Sequence, residues 1–273
     1  MQKSLYFFPK FLTFYKNETI YIKRKIIQEL DEIRANEIYC IDVLEGLRKL
    51  PSESIDLIIT SPPYNKAGLN GKRKKAIWNK TVDYGGDIDL DNKPEDEYQE
   101  WMIQILNECF RVLKKDGSLF FNHKNRVIVG KGEISTPMDF IRYSPFKLRQ
   151  EIIWVQSGSP NVHPSRYVPS FEQIYWLTKR KKVRFDRDRD CRFKRDVWKI
   201  TPKKGTEHPA PFPIEIPDNI IPSVSQGKRI TVLDPFMGSG TVAVSALKNN
   251  CDFIGFELLQ EYVDMANNRI NNI

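Results

Sequence analysis

Four cysteines are few for 273 residues, and Cys40, Cys109, Cys191 and Cys251 stand far apart with no C-x-x-C pair. That spacing excludes a zinc finger or ribbon and offers no disulfide framework. It suits the reducing cytoplasm, where the chain is expected to reside. No apolar run approaches the ~20 residues that cross a bilayer. Residues 1–14 are aromatic-rich, but Lys10 interrupts them and no small-residue cleavage site follows. A secretory leader is therefore not expected. Internal repeats are absent too, which argues against a solenoid or propeller. The remaining composition, 40% hydrophobic and 29% charged, is that of a soluble globular protein.

The net charge of +8 is unevenly placed. Residues 179–205 hold thirteen Lys and Arg against four Asp, so this segment carries +9 and the rest of the chain −1. A second basic stretch, 66–80, contains Lys66, Lys72, Arg73, Lys74, Lys75 and Lys80 with Trp78 and no acidic residue. A charge run is commonly a solvated face. Two local concentrations in an otherwise balanced chain point instead to a polyanionic partner.

Strands and helices alternate along the chain, the pattern of a mostly parallel sheet with helices on both faces. Residues 37–41 read as a short strand, 43–50 as a helix stopped by Pro51, and 55–60 (IDLIIT) as a strand buried on both sides. Pro94 opens a helix whose apolar face runs through Tyr98, Trp101, Met102, Ile105, Cys109 and Leu113. Gly117 is expected to end it, with 118–122 as the next strand. Residues 151–156 and 171–178 read as an antiparallel pair. The end of the chain reads strand 229–233, helix 241–248, strand 252–256, helix 260–270. The division expected is an N-terminal extension, 1–36, before one α/β domain, 37–273.

Chemistry concentrates in two short motifs at the carboxyl ends of expected strands, where open α/β sheets bind ligands. Asp234-Pro235-Phe236-Met237-Gly238-Ser239-Gly240-Thr241 joins a strand to a helix. Its glycines permit a sharp turn and a close ligand, but the spacing is neither a P-loop nor G-x-G-x-x-G. The following strand ends in Glu257, placed to accept hydrogen bonds from ribose hydroxyls. Turn and acidic tip together indicate a nucleoside. The second motif, Ser61-Pro62-Pro63-Tyr64, follows strand 55–60. Its two prolines remove backbone donors and leave carbonyl oxygens to accept from an –NH2 group. Tyr64 can stack on the ring that bears this group. Taken alone, it could equally be a proline turn with a core tyrosine.

In combination the motifs resemble those of the amino-methyltransferase family of DNA-modifying enzymes, over residues 37–270. The resemblance implies a Rossmann-like, doubly wound fold that uses S-adenosylmethionine, with a mostly parallel sheet and one antiparallel strand pair. It makes Ser61, Pro62, Pro63 and Tyr64 the catalytic motif and assigns the glycine-rich turn to the cofactor. The catalytic motif comes first, which is the order of the family's β group. Residues 208–213 (HPAPFP) resemble that group's further cofactor motif and bring in His208 and Phe212. By the same resemblance Asp42 contacts the adenine and Glu257 the ribose. Asp234, Phe236, Gly238, Ser239, Gly240 and Thr241 surround the rest of the cofactor. For Asp42 a helix N-cap explains the residue equally well.

Serine at the first motif position goes, within the family, with N4 of cytosine; aspartate or asparagine goes with N6 of adenine. Ser61 therefore favours cytosine, and N6-adenine methylation is the alternative. C5 methylation would need a Pro-Cys pair, and no cysteine here follows proline. The expected partner is double-stranded DNA with the target base flipped out, contacted by the 66–80 cations and by Arg187, Arg189, Arg192, Lys194 and Arg195. A cognate restriction endonuclease is the expected functional counterpart. A homodimer is compatible with the sequence, and no metal site or membrane contact is indicated. A binding protein on an inactive copy of the fold would be expected to lose one motif, and both are intact. An RNA or protein-amide methyltransferase would keep the cofactor turn, but the basic loops suit duplex DNA better.

Overall fold

The structure, a computed structural model, describes residues 32–65, 93–127, 133–156, 165–201 and 212–273. His208 and the 66–80 cations lie outside the described residues. Residues 35–273 form one compact unit, and 1–34 group separately.

The elements of the larger unit, in chain order, are β1 (Glu37–Cys40), α1 (Val43–Lys49), β2 (Ile55–Thr60), α2 (Glu95–Val112) and β3 (Leu113–His123). A small hairpin of β4 (Arg126–Val127) and β5 (Ile134–Ser135) precedes α3 (Met138–Ile141), β6 (Lys147–Val155), β7 (Phe171–Thr178) and β8 (Val197–Lys199). The chain closes with α4 (Glu215–Ser225), β9 (Thr231–Asp234), α5 (Thr241–Lys248), β10 (Asp252–Glu257) and α6 (Gln260–Asn271).

Among the described residues eight strands form one sheet in the order β1-β10-β9-β2-β3-β7-β6-β8. Every pairing in it is parallel except those of β7, which runs against both β3 and β6. All six residues of β2 are buried, as its β-branched run requires of a central strand. On one face Leu57, Phe120, Ile174 and Trp176 pack with Ile220 of α4 and Val242 of α5. On α2, Tyr98, Met102, Ile105, Leu106, Cys109 and Val112 are buried, the stripe that a 3.6-residue period lays toward a sheet. Acidic residues open α2 and Arg111 stands in its last turn, matching the helix dipole. The Arg111 guanidinium also donates to the carbonyls of Leu47 and Leu50, tying down the end of α1.

Three departures from the sequence reading have physical causes. Helix α2 ends at Val112, not at Gly117, and β3 begins at once because Leu113 is fully buried and pairs with Ile55. Gly117 instead lies where a Cβ would come 2.7 Å from the Asp56 carbonyl oxygen. Helix α4 was hidden by Pro217 and Pro222. Pro217 sits in the first turn, where no N–H is needed, while Pro222 breaks the interior pattern that signals a helix. The basic 179–205 segment is partly structural, since it supplies edge strand β8.

Candidate active site

Strand β9 connects through α5 to β10 on one side, and β2 connects through α2 to β3 on the other. The order therefore reverses between β9 and β2, and a ligand crevice is expected at their carboxyl ends. Both sequence motifs arrive there. The Thr60 hydroxyl donates to Asp234 Oδ1 at 2.8 Å, joining the last residue of β2 to the last residue of β9.

On the β9 side the turn is built largely from backbone. Asp234 Oδ1 also accepts the Phe236 N–H at 3.0 Å. Gly238 and Gly240 adopt φ of 51° and 80°, conformations that side chains resist. A Cβ on Gly240 would fall 2.7 Å from that of Ala266 on α6. Glu257 Oε2 accepts the Gly238 N–H at 2.9 Å, and its Oε1 accepts the Leu259 N–H at 3.0 Å. Burial raises the Glu257 carboxyl above its usual range, and these backbone donors hold it back. Asp234 is more deeply enclosed, and burial pushes its carboxyl up to about 7. Parallel pairing of Cys40 with Glu257 brings Asp42 to the same lip. There Asp42 caps α1, its Oδ1 accepting the N–H groups of Leu44 and Glu45. Ser239 and Thr241 turn their hydroxyls to the Arg269 guanidinium at 2.8 and 3.3 Å. Phe236 meets Trp101 of α2 edge-on, with ring centres 5.7 Å apart. Phe212, before α4, packs against the core.

The β2 side is built from side chains. The Tyr64 hydroxyl donates to Glu172 Oε2 at 2.9 Å and lies 2.8 Å from Ser61 Oγ. Asn122 Nδ2 donates to the Tyr64 oxygen at 2.6 Å and to Glu172 Oε2 at 3.0 Å, and lies 3.4 Å from Ser61 Oγ. Burial foremost, and then the Glu172 charge, hold the Tyr64 hydroxyl well above the usual tyrosine range. Its ring centre is 4.6 Å from that of His123, and only 7% of the residue is exposed. The expected stacking platform is thus enclosed, and a base reaches it only by local opening.

The proline loop is pinned from below. Tyr98 of α2 donates to the Pro63 carbonyl at 2.8 Å and lies 2.8 Å from His123 Nε2. With the Tyr98 proton on Pro63, Nε2 must be the donor. In that tautomer His123 Nδ1 accepts the Lys124 N–H at 2.8 Å, with the Lys124 carbonyl oxygen 2.9 Å from the same atom. Arg126, buried over the Tyr98 ring, grips both oxygens of Glu95 at 2.6 and 2.7 Å. Asn65, with φ of 54°, bonds the backbone N–H and carbonyl of Lys93 through its amide. This ties Asn65, next to Tyr64, to Lys93 just ahead of α2.

The basic 187–195 stretch lies on the α4 face. It follows Arg184, which pairs with Asp56 and Asp116 at the opposite ends of β2 and β3 from Ser61 and Asn122. Arg187 and Lys194 both pair with Asp188, Arg192 rests over Phe193, and the Arg189 guanidinium stands against Gly227. Arg187, Lys194 and Arg195 border a groove of about 690 Å³ floored by Trp176 and Phe185.

A sequence profile described as a DNA methylase, of the N6/N4 class, matches residues 55–268. The chain belongs to that DNA methylase family. The methylase is 30% identical to the type II methyltransferase M.BglII of Bacillus subtilis over 267 residues, covering 85% of this chain and 68% of that protein. It is 31% identical to M.Cfr9I of Citrobacter freundii, covering 88% and 89%. It is 25% identical to the DNA adenine methyltransferase YhdJ of Escherichia coli, covering 84% and 81%. In fold the methylase matches the PvuII DNA methyltransferase, titled cytosine-N4-specific, with a TM-score of 0.69, 22% identity and 89% of each chain covered. The complex of M1.HpyAVI with S-adenosylmethionine matches at a TM-score of 0.55 and 22% identity, over 85% of this chain and 98% of that one.

The sequence reading missed Asn122, Glu172, Tyr98, His123, Arg126 and Arg269. Asn122 and His123 carried a signal, two polar residues closing an apolar run at a strand's carboxyl end. Glu172 carried none, because only strand register brings it to Tyr64.

Proposed function

We propose that this methylase transfers a methyl group from S-adenosylmethionine to the exocyclic N4 amino group of cytosine in duplex DNA, as the modification half of a restriction-modification system. The observation that carries the reading is the Thr60–Asp234 bond, which sets the Ser-Pro-Pro-Tyr loop directly beside the glycine-rich turn. A donor held in that turn faces a base amine held by the loop. The residues present fit S-adenosylmethionine, which supplies an electrophilic methyl group when bound. The Glu257 oxygens accept backbone N–H groups, Gly238 on Oε2 and Leu259 on Oε1, and keep lone pairs for ribose hydroxyls. Asp42 spends only Oδ1 on its helix cap. The Gly238–Gly240 backbone admits close approach, Phe236 and Phe212 belong to the assigned surround, and the resemblance adds His208, outside the described residues.

On the substrate side the base is flipped and Tyr64 stacks against it. Ser61 Oγ and the Pro62 carbonyl accept the amino hydrogens, aligning the nitrogen lone pair with the methyl group. Most of the rate arises from this positioning. The cations of 66–80 lie closest in sequence to the loop and contact phosphate. Arg187, Arg189, Arg192, Lys194 and Arg195 add contacts that set affinity more than sequence.

Ser61 favours cytosine by family association. YhdJ's name keeps N6 of adenine as the second reading. Mass spectrometry of nucleosides digested from product DNA tests both. N4-methylcytosine is expected, and N6-methyladenine would overturn the base assignment.

A further inference from the structure

The donor directions in the Ser61–Tyr64–Asn122–Glu172 cluster are fixed by chemistry. An ionised carboxylate only accepts, so Glu172 Oε2 takes the single Tyr64 proton and one from Asn122 Nδ2. The Tyr64 oxygen, its proton so committed, accepts from Asn122 at 2.6 Å and from Ser61 at 2.8 Å. The Ser61 proton therefore points at Tyr64, and Ser61 Oγ, which takes only a long 3.4 Å contact from Asn122 Nδ2, keeps a lone pair for an incoming donor. One carboxylate, two hydrogen bonds away, makes Ser61 an acceptor.

We infer that Glu172 is the terminal proton acceptor of the methylation step, acting through Tyr64 and Ser61. The inference rests on the amino-methylation reading above. A nitrogen that has gained a methyl group carries a positive charge and must lose a proton. Its N–H bond breaks, the nitrogen keeps the electron pair, and the proton passes to Ser61 Oγ. Ser61 gives its own proton to the Tyr64 oxygen, and Tyr64 gives its proton to the Glu172 carboxylate. The amine ends neutral, both hydroxyls are restored, and Glu172 ends as a carboxylic acid. Being only partly buried, it returns the proton to solvent. Asn122 contributes as a positioning residue, holding the tyrosine and carboxylate oxygens together. Among the described residues its buried Oδ1 meets no partner, and the donation of Nδ2 to the Glu172 carboxylate fixes the amide orientation. Glu172 is itself a positioning residue for Ser61, since it does not touch the base.

Two substitutions separate this relay from packing. Tyr64→Phe keeps the stacking ring and removes the middle link. Glu172→Gln keeps the size and an acceptor oxygen and removes the charge. Each is expected to lower the single-turnover methylation rate about 100-fold, the ordinary scale of proton-transfer assistance. KM for DNA, and the dissociation constants for DNA and S-adenosylmethionine, should stay within about twofold of native, because neither change disturbs binding contacts. The double variant should be no slower than the slower single, since both break one chain. Either single variant at half the native rate or more, or a double variant slowed by the product of the two factors, overturns the relay while leaving the methylase reading intact. A native chain that methylates no base amine overturns both.

Discussion

The two halves of the crevice are made differently. On the β9–β10 side the shape is drawn by backbone: two glycines at positive φ, and a glutamate held by the N–H groups of Gly238 and Leu259. On the β2–β3–β7 side it is drawn by side chains, with Ser61, Tyr64, Asn122 and Glu172 sharing hydrogen bonds across three segments. A backbone-built half holds one ligand in one pose and tolerates little covalent change. A side-chain network can shift protons and reopen around a base. Changes on one side should therefore move binding of the donor, and changes on the other should move turnover.

The largest effect is expected at Tyr64. Tyr64→Ala removes both the stacking ring and the hydroxyl, and steady-state kinetics should show kcat lower by about 100-fold or more. Next is Gly240→Ala, which forces a side chain into φ of 80° and against Ala266. It should cost about 1–3 kcal/mol in denaturant unfolding and weaken donor binding with it. Glu257→Ala follows, weakening S-adenosylmethionine by about 1–3 kcal/mol in calorimetry through the lost ribose acceptor. Unchanged affinity in a folded Glu257→Ala protein would remove that residue from the site.

Asp234 sharpens the comparison through pH. Its carboxyl, raised by burial from 3.8 to about 7, holds a proton in the folded state that the unfolded chain has released. Folding stability contributed by this group is therefore present at low pH and lost as pH rises from about 4 through about 7. Asp234→Asn keeps an acceptor oxygen for Thr60 and Phe236, and should flatten that slope in unfolding titrations at pH 5 and 8. The smallest effect is electrostatic. Neutralising Lys72, Arg73, Lys74 and Lys75 together should lower DNA affinity and reduce the slope of log K against log salt. An unchanged slope would make that stretch a solvated loop.

The same contrast explains what the sequence made legible. The backbone-built half is contiguous: Asp234 to Thr241 and Glu257 sit on successive elements, and the glycines that turn the chain are visible as glycines. Strand 55–60 and helix 241–248 were readable to the residue because a continuous buried run and a turn-to-helix junction have local causes. The other half was legible only at Ser61–Tyr64. Asn122 and Glu172 enter through the pairing of β3 with β7, a register that depends on tertiary packing. Tyr98 read as core, and it is core, yet its hydroxyl also fixes the Pro63 carbonyl. Helix α4 stayed hidden because Pro222 interrupts its interior, a local rule overridden by burial of the surrounding face.

The central claim is the division of labour between the two halves, and titration calorimetry of S-adenosylmethionine into the folded Tyr64→Ala protein without DNA tests it most directly. The account predicts a dissociation constant within about twofold of native, because it assigns the donor's contacts to the β9–β10 side and Tyr64 to the base. A loss of tenfold or more would contradict it, placing Tyr64 in the donor's site and joining the two halves into one.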